Sequence, residues 1–511
     1  MLKNFWKKQE NQIIFHNNKL NIIESCVDRH ALENPKKLVL LFENEKGKVK
    51  KYSYKELQEQ VNQFSNYLNS LKIKKSSRVF IFLPKCPELY ISFLGTIKHG
   101  SIAAPLFEAF QKQGLELRLK KGDADVLITN KELSKRIPKN IKIHSLKHII
   151  IIDKENYKKN IKKQSKEFKP VLKNKKDTSL MIFTSSTAGT PVAGVEIPHY
   201  GLVQQDFTGQ YALGLNKNSN YWCTAHPGWV TGSVYGIISP LSIGCSIYIY
   251  EGHFDAKKWI NFMKKYKISE IYTAPTALRM LKNNIKKKDF KFVRHLGSVG
   301  EALTYSTFEF YKKLGIKITD TYWQTETGAI VIANTEHKEK SMGKAIPGIK
   351  AKIKNKTIAL NPGWPAMMTG IYKHPQMYKS YFKNNWFRTN DTAKKRGKYF
   401  YFIGRGDDII KVSGERISPI EIESILEKNK AVREAAVIGI PDKIKGNILK
   451  AFVVLNKNIK PNESLKKQLS FFVKKNYAGH SYPKEIEFVD SLPKTNSGKI
   501  IRMKLRSLSG K

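Results

Sequence analysis

Short apolar runs recur along the chain, separated by longer stretches in which apolar positions return every three or four residues. RVFIFL (78–83), HIIIID (148–153), SLMIFT (179–184), SIYIYE (246–251) and EIYTAP (270–275) are the clearest runs. Continuous apolarity over a few positions marks a strand covered on both faces, and helical spacing between such strands predicts crossover connections. The pattern predicts an α/β fold: a large region of layered α/β subdomains with mostly buried sheets. No repeat at a fixed period is visible.

Near residue 400 the texture changes. GRGDDIIKVSGERISP (404–419) is rich in turn formers and precedes a C-terminal stretch with its own pattern. Ser418-Pro419-Ile420-Glu421 has the form of a capping box with proline at the first helical position, which predicts a helix over EIESILEKN. Strands at AAVIGI and KAFVVL and a helix after Pro461 complete a small α+β unit. The expected division is a large unit over 1–404 and a small mobile one over 405–511. Gly404 to Gly414 reads as a hinge, and a plain surface loop fits the same local pattern.

With 511 residues, 41% hydrophobic and 11% aromatic, the chain can bury several apolar cores. The net charge of +48 suits polyanions in general. Its lysines, however, are scattered singly and in pairs among Asn and Ile, without a basic arm, an RNP-like strand or a zinc knuckle. That excludes nucleic acid as the expected partner and leaves an attraction for small anions. Cys26, Cys86, Cys223 and Cys245 have neither CxxC spacing nor a companion His cluster, so reduced, mostly buried thiols are expected. The N-terminus MLKNFWKKQENQ lacks the apolar core of a signal peptide, and Pro240 interrupts the most apolar stretch, 235–250. A cytoplasmic protein without membrane contact is the expectation.

Four segments carry candidate chemistry. Thr184, Ser185, Thr187 and Gly189 lie in a hydroxyl-rich loop directly after a strand, where N–H and O–H groups can cradle phosphate. The loop lacks the Walker A spacing, and an ordinary linker shares its composition. Asp320-Thr321-Tyr322-Trp323-Gln324-Thr325-Glu326 offers rings to stack a purine or line a small pocket, with a carboxylate beside a metal–phosphate group; a strand end with a buried Trp is the plainer alternative. Asp391 can accept a diol, and Arg405 and Arg416 can neutralise phosphate. Lys499, on the glycine-containing loop PKTNSGK, can bring a point charge to a reacting oxygen.

Their order and spacing resemble the adenylate-forming superfamily of acyl-CoA synthetases, luciferases and peptide-synthetase adenylation domains. Within it, YWCTAHPGWVTG (221–232), YTAPTALRML, SVGEAL, DTYWQTETG, GRGDDIIKVSGERI and SLPKTNSGKI are most similar to the AMP-forming acetyl-CoA synthetases. The resemblance runs from about residue 20 to 507. It implies an ATP-dependent acetate–CoA ligase that uses Mg²⁺, with propionate or another short acid as the runner-up substrate. A catalytically weak adenylate- or CoA-binding relative is the alternative from another class.

The resemblance also implies roles for individual residues. Thr184 to Gly189 would wrap the phosphates, and Gly300, Glu301 and Ala302 with Asp320 to Thr325 would line the adenine and α-phosphate site. Asp391 would bind the ribose, Arg405 and Arg416 the phosphate, and Glu326 would neighbour the metal. Val230, Thr231, Val299 and Trp323 would form the acyl pocket. Thr231, Ser413, Gly414 and Lys474 would contact coenzyme A, and Asp407 would be the hinge. Lys499 would act in adenylation and be the target of a lysine acetyltransferase and deacetylase.

Several positions depart from the family pattern. Ser186 replaces a glycine, Ala188 a hydroxyl residue, and Val192-Ala193 the usual lysine of the phosphate loop. Asn390 replaces the glycine before the ribose Asp, His226 replaces an acidic residue, and the hairpin between Lys354 and Trp364 is short.

Overall fold

A computed structural model describes residues 2–138, 143–183, 193–282, 284–405, 410–412, 415–417, 419–442, 446–476, 482–494 and 500–509. Every apolar run named above is a strand: Arg78–Phe82, His148–Ile151, Thr178–Phe183, Ser246–Glu251 and Glu270–Thr273. Among the described residues they join a seven-stranded and a nine-stranded sheet, with a five-stranded sheet following. Strands Arg78–Phe82, Ile102–Leu106 and Val126–Thr129 pair in parallel in the first sheet. In the second, Asn220–Cys223, Glu270–Thr273, His295–Ser298 and Ile318–Tyr322 run parallel in neighbouring positions.

Alternate side chains show why the runs are apolar on both faces. Val79 and Ile81 join one buried cluster that also holds Ile247 and Ile249 of the second sheet. Phe80 and Phe82 point the other way, onto Leu115 and Leu119 of helix Lys112–Lys121. On the far side of the second sheet, Trp222 and Tyr248 pack with Trp259 and Phe262 of helix Ala256–Lys265. Helix Pro87–Lys98 lies in the shared cluster between the sheets and is buried on almost every side, as a helix in a middle layer must be. The layering is helices, sheet, helices, sheet, helices.

The small unit has separate cores, including Ile422, Val437, Val453 and Leu469. Strand Val432–Asp442 pairs antiparallel with Gly446–Leu455, and helix Glu463–Asn476 packs beside helix Pro419–Leu426. The first helix ends at Leu426, short of the stretch expected from its polar tail; Ser418, the anticipated cap, lies outside the described residues. The short hairpin is a tight one: Ala351–Lys354 pairs with Thr357–Leu360 across Asn355 and Lys356, whose φ angles of 50° and 64° suit a two-residue reversal.

Candidate active site

The ends of these parallel strands meet at a cleft of about 2150 Å³. Ligands bind at the carboxyl ends of parallel strands because the diverging connections there leave a crevice. Thr224, Trp229, Val230 and Thr231 arrive after strand Asn220–Cys223; Val299 to Ala302 and Trp323 to Glu326 follow the strands His295–Ser298 and Ile318–Tyr322. The five-stranded sheet adds Thr389 to Asp391, and the small unit adds Ile420, Glu423 and Glu427. Gly300, Glu301, Ala302, Asp320, Thr321, Tyr322, Gln324 and Thr325 all line this one cleft.

Asp391 is buried and held firmly. The Tyr322 hydroxyl and the Gln324 side-chain amide each donate to its Oδ2 at 2.7 Å. The same amide donates to the Thr389 carbonyl at 2.8 Å, so Gln324 ties the carboxylate to its own strand. Asn390, before it, has φ 59°. That is the left-handed region where glycine is at ease and asparagine is the next best tolerated, which accounts for the substitution noted in the sequence. Asn390→Gly is expected to be nearly neutral, whereas Asn390→Val should cost about 1–2 kcal/mol by strain. Urea unfolding of both variants checks this, and equal midpoints would contradict it.

Asp320 is a second buried carboxyl. Burial pushes it up to about 7, opposed by the Ser298 hydroxyl and the Thr321 N–H. Near neutral pH it is poised between acid and carboxylate, and a ligand N–H donating to it would favour the charged form. Across the cleft, burial pushes Glu427 up to about 7 against the pull of Arg279. Arg279 donates to Glu301 Oε2 at 3.2 Å and to Thr276 Oγ1 at 2.6 Å, and so braces the loop carrying Gly300 to Ala302.

Trp323 is buried at the floor. Its indole N–H donates to the Tyr272 hydroxyl at 3.1 Å, and Tyr235 meets the ring edge-on with centroids 5.0 Å apart. The turn from His226 to Gly232 brings Val230 and Thr231 to the same cleft. The Gly228 N–H donates to His226 Nδ1 at 2.9 Å, and Nε2 lies 3.1 Å from the Leu83 carbonyl. Burial drives His226 down to about 3, so the ring is neutral, with its proton on Nε2. Its free lone pair receives an N–H that a carboxylate could also receive, which explains how histidine replaces an acidic residue here. A Cβ on Gly228 would lie 2.3 Å from the Phe107 nitrogen, and one on Gly232 equally close to the His226 carbonyl oxygen. Only glycine fits either place.

Glu326 reaches the cleft and accepts the Tyr381 hydroxyl at 2.9 Å on Oε1. Among the described residues no three His, Cys, Asp or Glu side chains gather to cage a metal. One oriented carboxylate fits Mg²⁺ nonetheless, because that ion takes one or two protein carboxylates and completes its shell with water and substrate phosphate.

Not every anticipated residue comes to the cleft. Lys474 sits on helix Glu463–Asn476 with its ammonium 5.5 Å from the Tyr482 ring, away from the cleft wall. The backbone of Arg405, by contrast, pairs in register with the cleft residue Asp391, and that of Arg416 with Lys411. Thr184, Ser185, Thr187, Gly189, Asp407, Ser413, Gly414 and Lys499 lie outside the described residues, as do Ser186 and Ala188. Tyr272, Tyr235 and Arg279 were not anticipated, although Tyr272 and Arg279 stand inside the quoted segments EIYTAP and YTAPTALRML; a polar aromatic at a strand end was the available signal. No helix among the described residues is long and apolar enough to cross a membrane.

Residues 27–379 match the family model of the AMP-binding enzyme, and residues 421–499 that of the AMP-binding enzyme C-terminal domain. An acetyl-coenzyme A synthetase of Bacillus subtilis (strain 168) is 40% identical over 519 residues, covering 96% of this chain and 90% of that protein. One from Methanothrix thermoacetophila is 33% identical, covering 96% of this chain and 84% of its own length. Among solved structures, an anthranilate CoA ligase in complex with anthranoyl-AMP superposes with a TM-score of 0.88 at 25% identity, over 96% of this chain and 98% of that one.

Proposed function

This chain belongs to the AMP-binding enzyme family, and on that premise we propose that it is an AMP-forming acetate–CoA ligase. Acetate attacks the α-phosphorus of ATP, expelling pyrophosphate and leaving acetyl-adenylate; the thiol of coenzyme A then attacks the acyl carbon and releases AMP. The observation that supports the choice of acid is the buried Trp323, which lines the same cleft as Val230, Thr231 and Val299 and in this reading would close an acyl pocket formed with them. An indole occupies the volume a longer tail would need, as its buried area of about 150–250 Å² indicates.

In this reading the adenine lies along Gly300 to Ala302 and Asp320 to Thr325, and Asp391 accepts the ribose hydroxyls. Thr184 to Gly189 hold the phosphates with Arg405 and Arg416. Glu326, oriented by Tyr381, would hold Mg²⁺, which supplies positive charge against the phosphate oxygens. Thr231, Ser413, Gly414 and Lys474 serve coenzyme A once the small unit, 405–511, turns about Asp407. That turn would also bring Lys474 to a position it does not occupy in the arrangement described. The protein works in the cytoplasm, where ATP and coenzyme A are drawn.

Purified protein given acetate, ATP, Mg²⁺ and coenzyme A is expected to release pyrophosphate only when acetate is present, and to yield acetyl-CoA. Absence of both products would remove the enzyme reading. Faster turnover with propionate would instead favour the larger acid.

Asp320 supplies a test of the adenine assignment. An exocyclic amine donating to it lowers its pKa from about 7, so nucleotide binding at neutral pH should release a fraction of a proton. The stability of the free protein should respond in the matching sense. A carboxyl raised above its unfolded value contributes stability below pH ~4 that is lost as pH rises through about 7. Calorimetric titration in two buffers of different ionisation enthalpy measures the proton count, and Asp320→Asn should abolish the Asp320 share. An unchanged count would place the adenine elsewhere.

A further inference from the structure

We infer that Tyr272 positions Trp323 and thereby sets the acid chain length the pocket admits, an inference that rests on the acyl-pocket reading above. The directions of three hydrogen bonds can be worked out from chemistry alone. The Trp323 indole N–H can only donate, so the Tyr272 oxygen, 3.1 Å away, accepts. The Ser298 carbonyl can only accept, so the Thr321 hydroxyl, at 2.8 Å, donates to it. Each hydroxyl has one proton, so the 2.6 Å bond between Tyr272 and Thr321 runs from tyrosine to threonine. The relay is Trp323 to Tyr272 to Thr321 to the Ser298 carbonyl, with every proton used once.

Its endpoints matter. Ser298 immediately precedes Val299, so the relay ties Trp323 to the strand end that carries a second residue of the proposed acyl pocket. The middle strand makes room for it. Tyr272 and Gly297 are register partners on adjacent parallel strands, and a Cβ at Gly297 would lie 2.6 Å from Tyr272 Cδ2. The phenol therefore leans across strand His295–Ser298 to reach Thr321 on the next strand but one. Tyr235 closes the other side, edge-on to both Trp323 and Tyr272. Its own hydroxyl accepts the Ile330 N–H at 2.8 Å and lies 2.7 Å from Thr208 Oγ1 on helix Gly201–Leu213. Tyr235 supports the ring by packing, whereas Tyr272 fixes its orientation by a directed bond.

Removing the Tyr272 hydroxyl leaves a buried indole N–H without an acceptor, and the ring gains by turning its nitrogen toward the open cleft. Turning deepens the pocket. The test compares kcat and KM for acetate and propionate in the parent, Tyr272→Phe, Trp323→Gly and the double variant. Tyr272→Phe should lower the acetate-to-propionate ratio of kcat/KM by roughly tenfold, mostly through a higher KM for acetate, the scale set by one unsatisfied buried donor. Added to Trp323→Gly it should change that ratio no further, because its effect passes through the indole.

An unchanged ratio in Tyr272→Phe, or effects that simply add in the double variant, overturns the inference while Trp323→Gly still shifts preference. An unchanged ratio in Trp323→Gly overturns the pocket reading and this inference with it. Should Tyr272→Phe fail to fold, Thr321→Ser and Thr321→Val decide. Serine keeps the accepting hydroxyl and should keep the ratio, and valine should lower it; equal ratios in the two would sink the relay.

Discussion

Replacing Lys499 with alanine is expected to slow acetyl-adenylate formation by about 10²–10³-fold while largely sparing thioester formation from supplied acetyl-adenylate. The asymmetry follows from where charge builds. As the carboxylate oxygen approaches the α-phosphorus and the bond to pyrophosphate lengthens, negative charge spreads over the transferring oxygens. An ammonium beside them is worth most at that moment. When the thiol attacks the acyl carbon, that phosphoryl charge is no longer developing, and AMP departs as a stable phosphate. Pyrophosphate exchange reads the first step alone, and acetyl-CoA formed from synthetic adenylate reads the second. Equal losses in both would refute the division of labour. Lys499→Gln removes the same charge as acetylation does, and should match alanine in the first assay. If it retains parental exchange, acetylation of this lysine cannot act as a switch.

Trp323→Gly should collapse the preference for acetate over propionate by about 10–200-fold, the range over which a pocket discriminates one methylene. In the parent the indole is buried, bonded to Tyr272 and flanked by Tyr235, so under the proposed pocket assignment a longer acid would meet a wall that cannot easily yield. Glycine at 323 replaces that wall with open volume, and each methylene that enters gains about 0.8 kcal/mol from burial. The variant has a structural cost as well. Deleting a buried tryptophan typically costs about 3–5 kcal/mol. Its melting temperature should therefore fall, and kinetics belong well below the new midpoint. A stable variant with unaltered chain-length preference would show that the indole does not bound the acyl site.

Much of this architecture is legible in the amino-acid pattern itself. A strand sandwiched between helical layers must be apolar on both faces, so RVFIFL and SIYIYE announce both their conformation and their depth. The cleft segments were legible for another reason: DTYWQTETG keeps chemically distinctive residues together at a strand end, and YTAPTALRML resembles a family motif. Asn390 shows the limit. As a letter it is a departure from glycine; only its φ of 59° shows that both residues answer the same backbone demand. His226 is similar, since its lone pair on the Gly228 N–H is a fact of geometry.

What the chain alone determined is the layered α/β architecture, the small C-terminal unit and the segments proposed to handle a nucleotide and a carboxylate. Those follow from periodicities and residue types that act over a few positions. What only the tertiary structure decided is the linkage between them: Gln324 to Asp391, Arg279 to Glu301, Tyr272 to Trp323. These pairs lie 67, 22 and 51 positions apart, and hydrogen bonds depend on ångström distances that no local pattern encodes. They form because the strands of one sheet, the helix after one of them and a strand of a second sheet all converge on the same cleft.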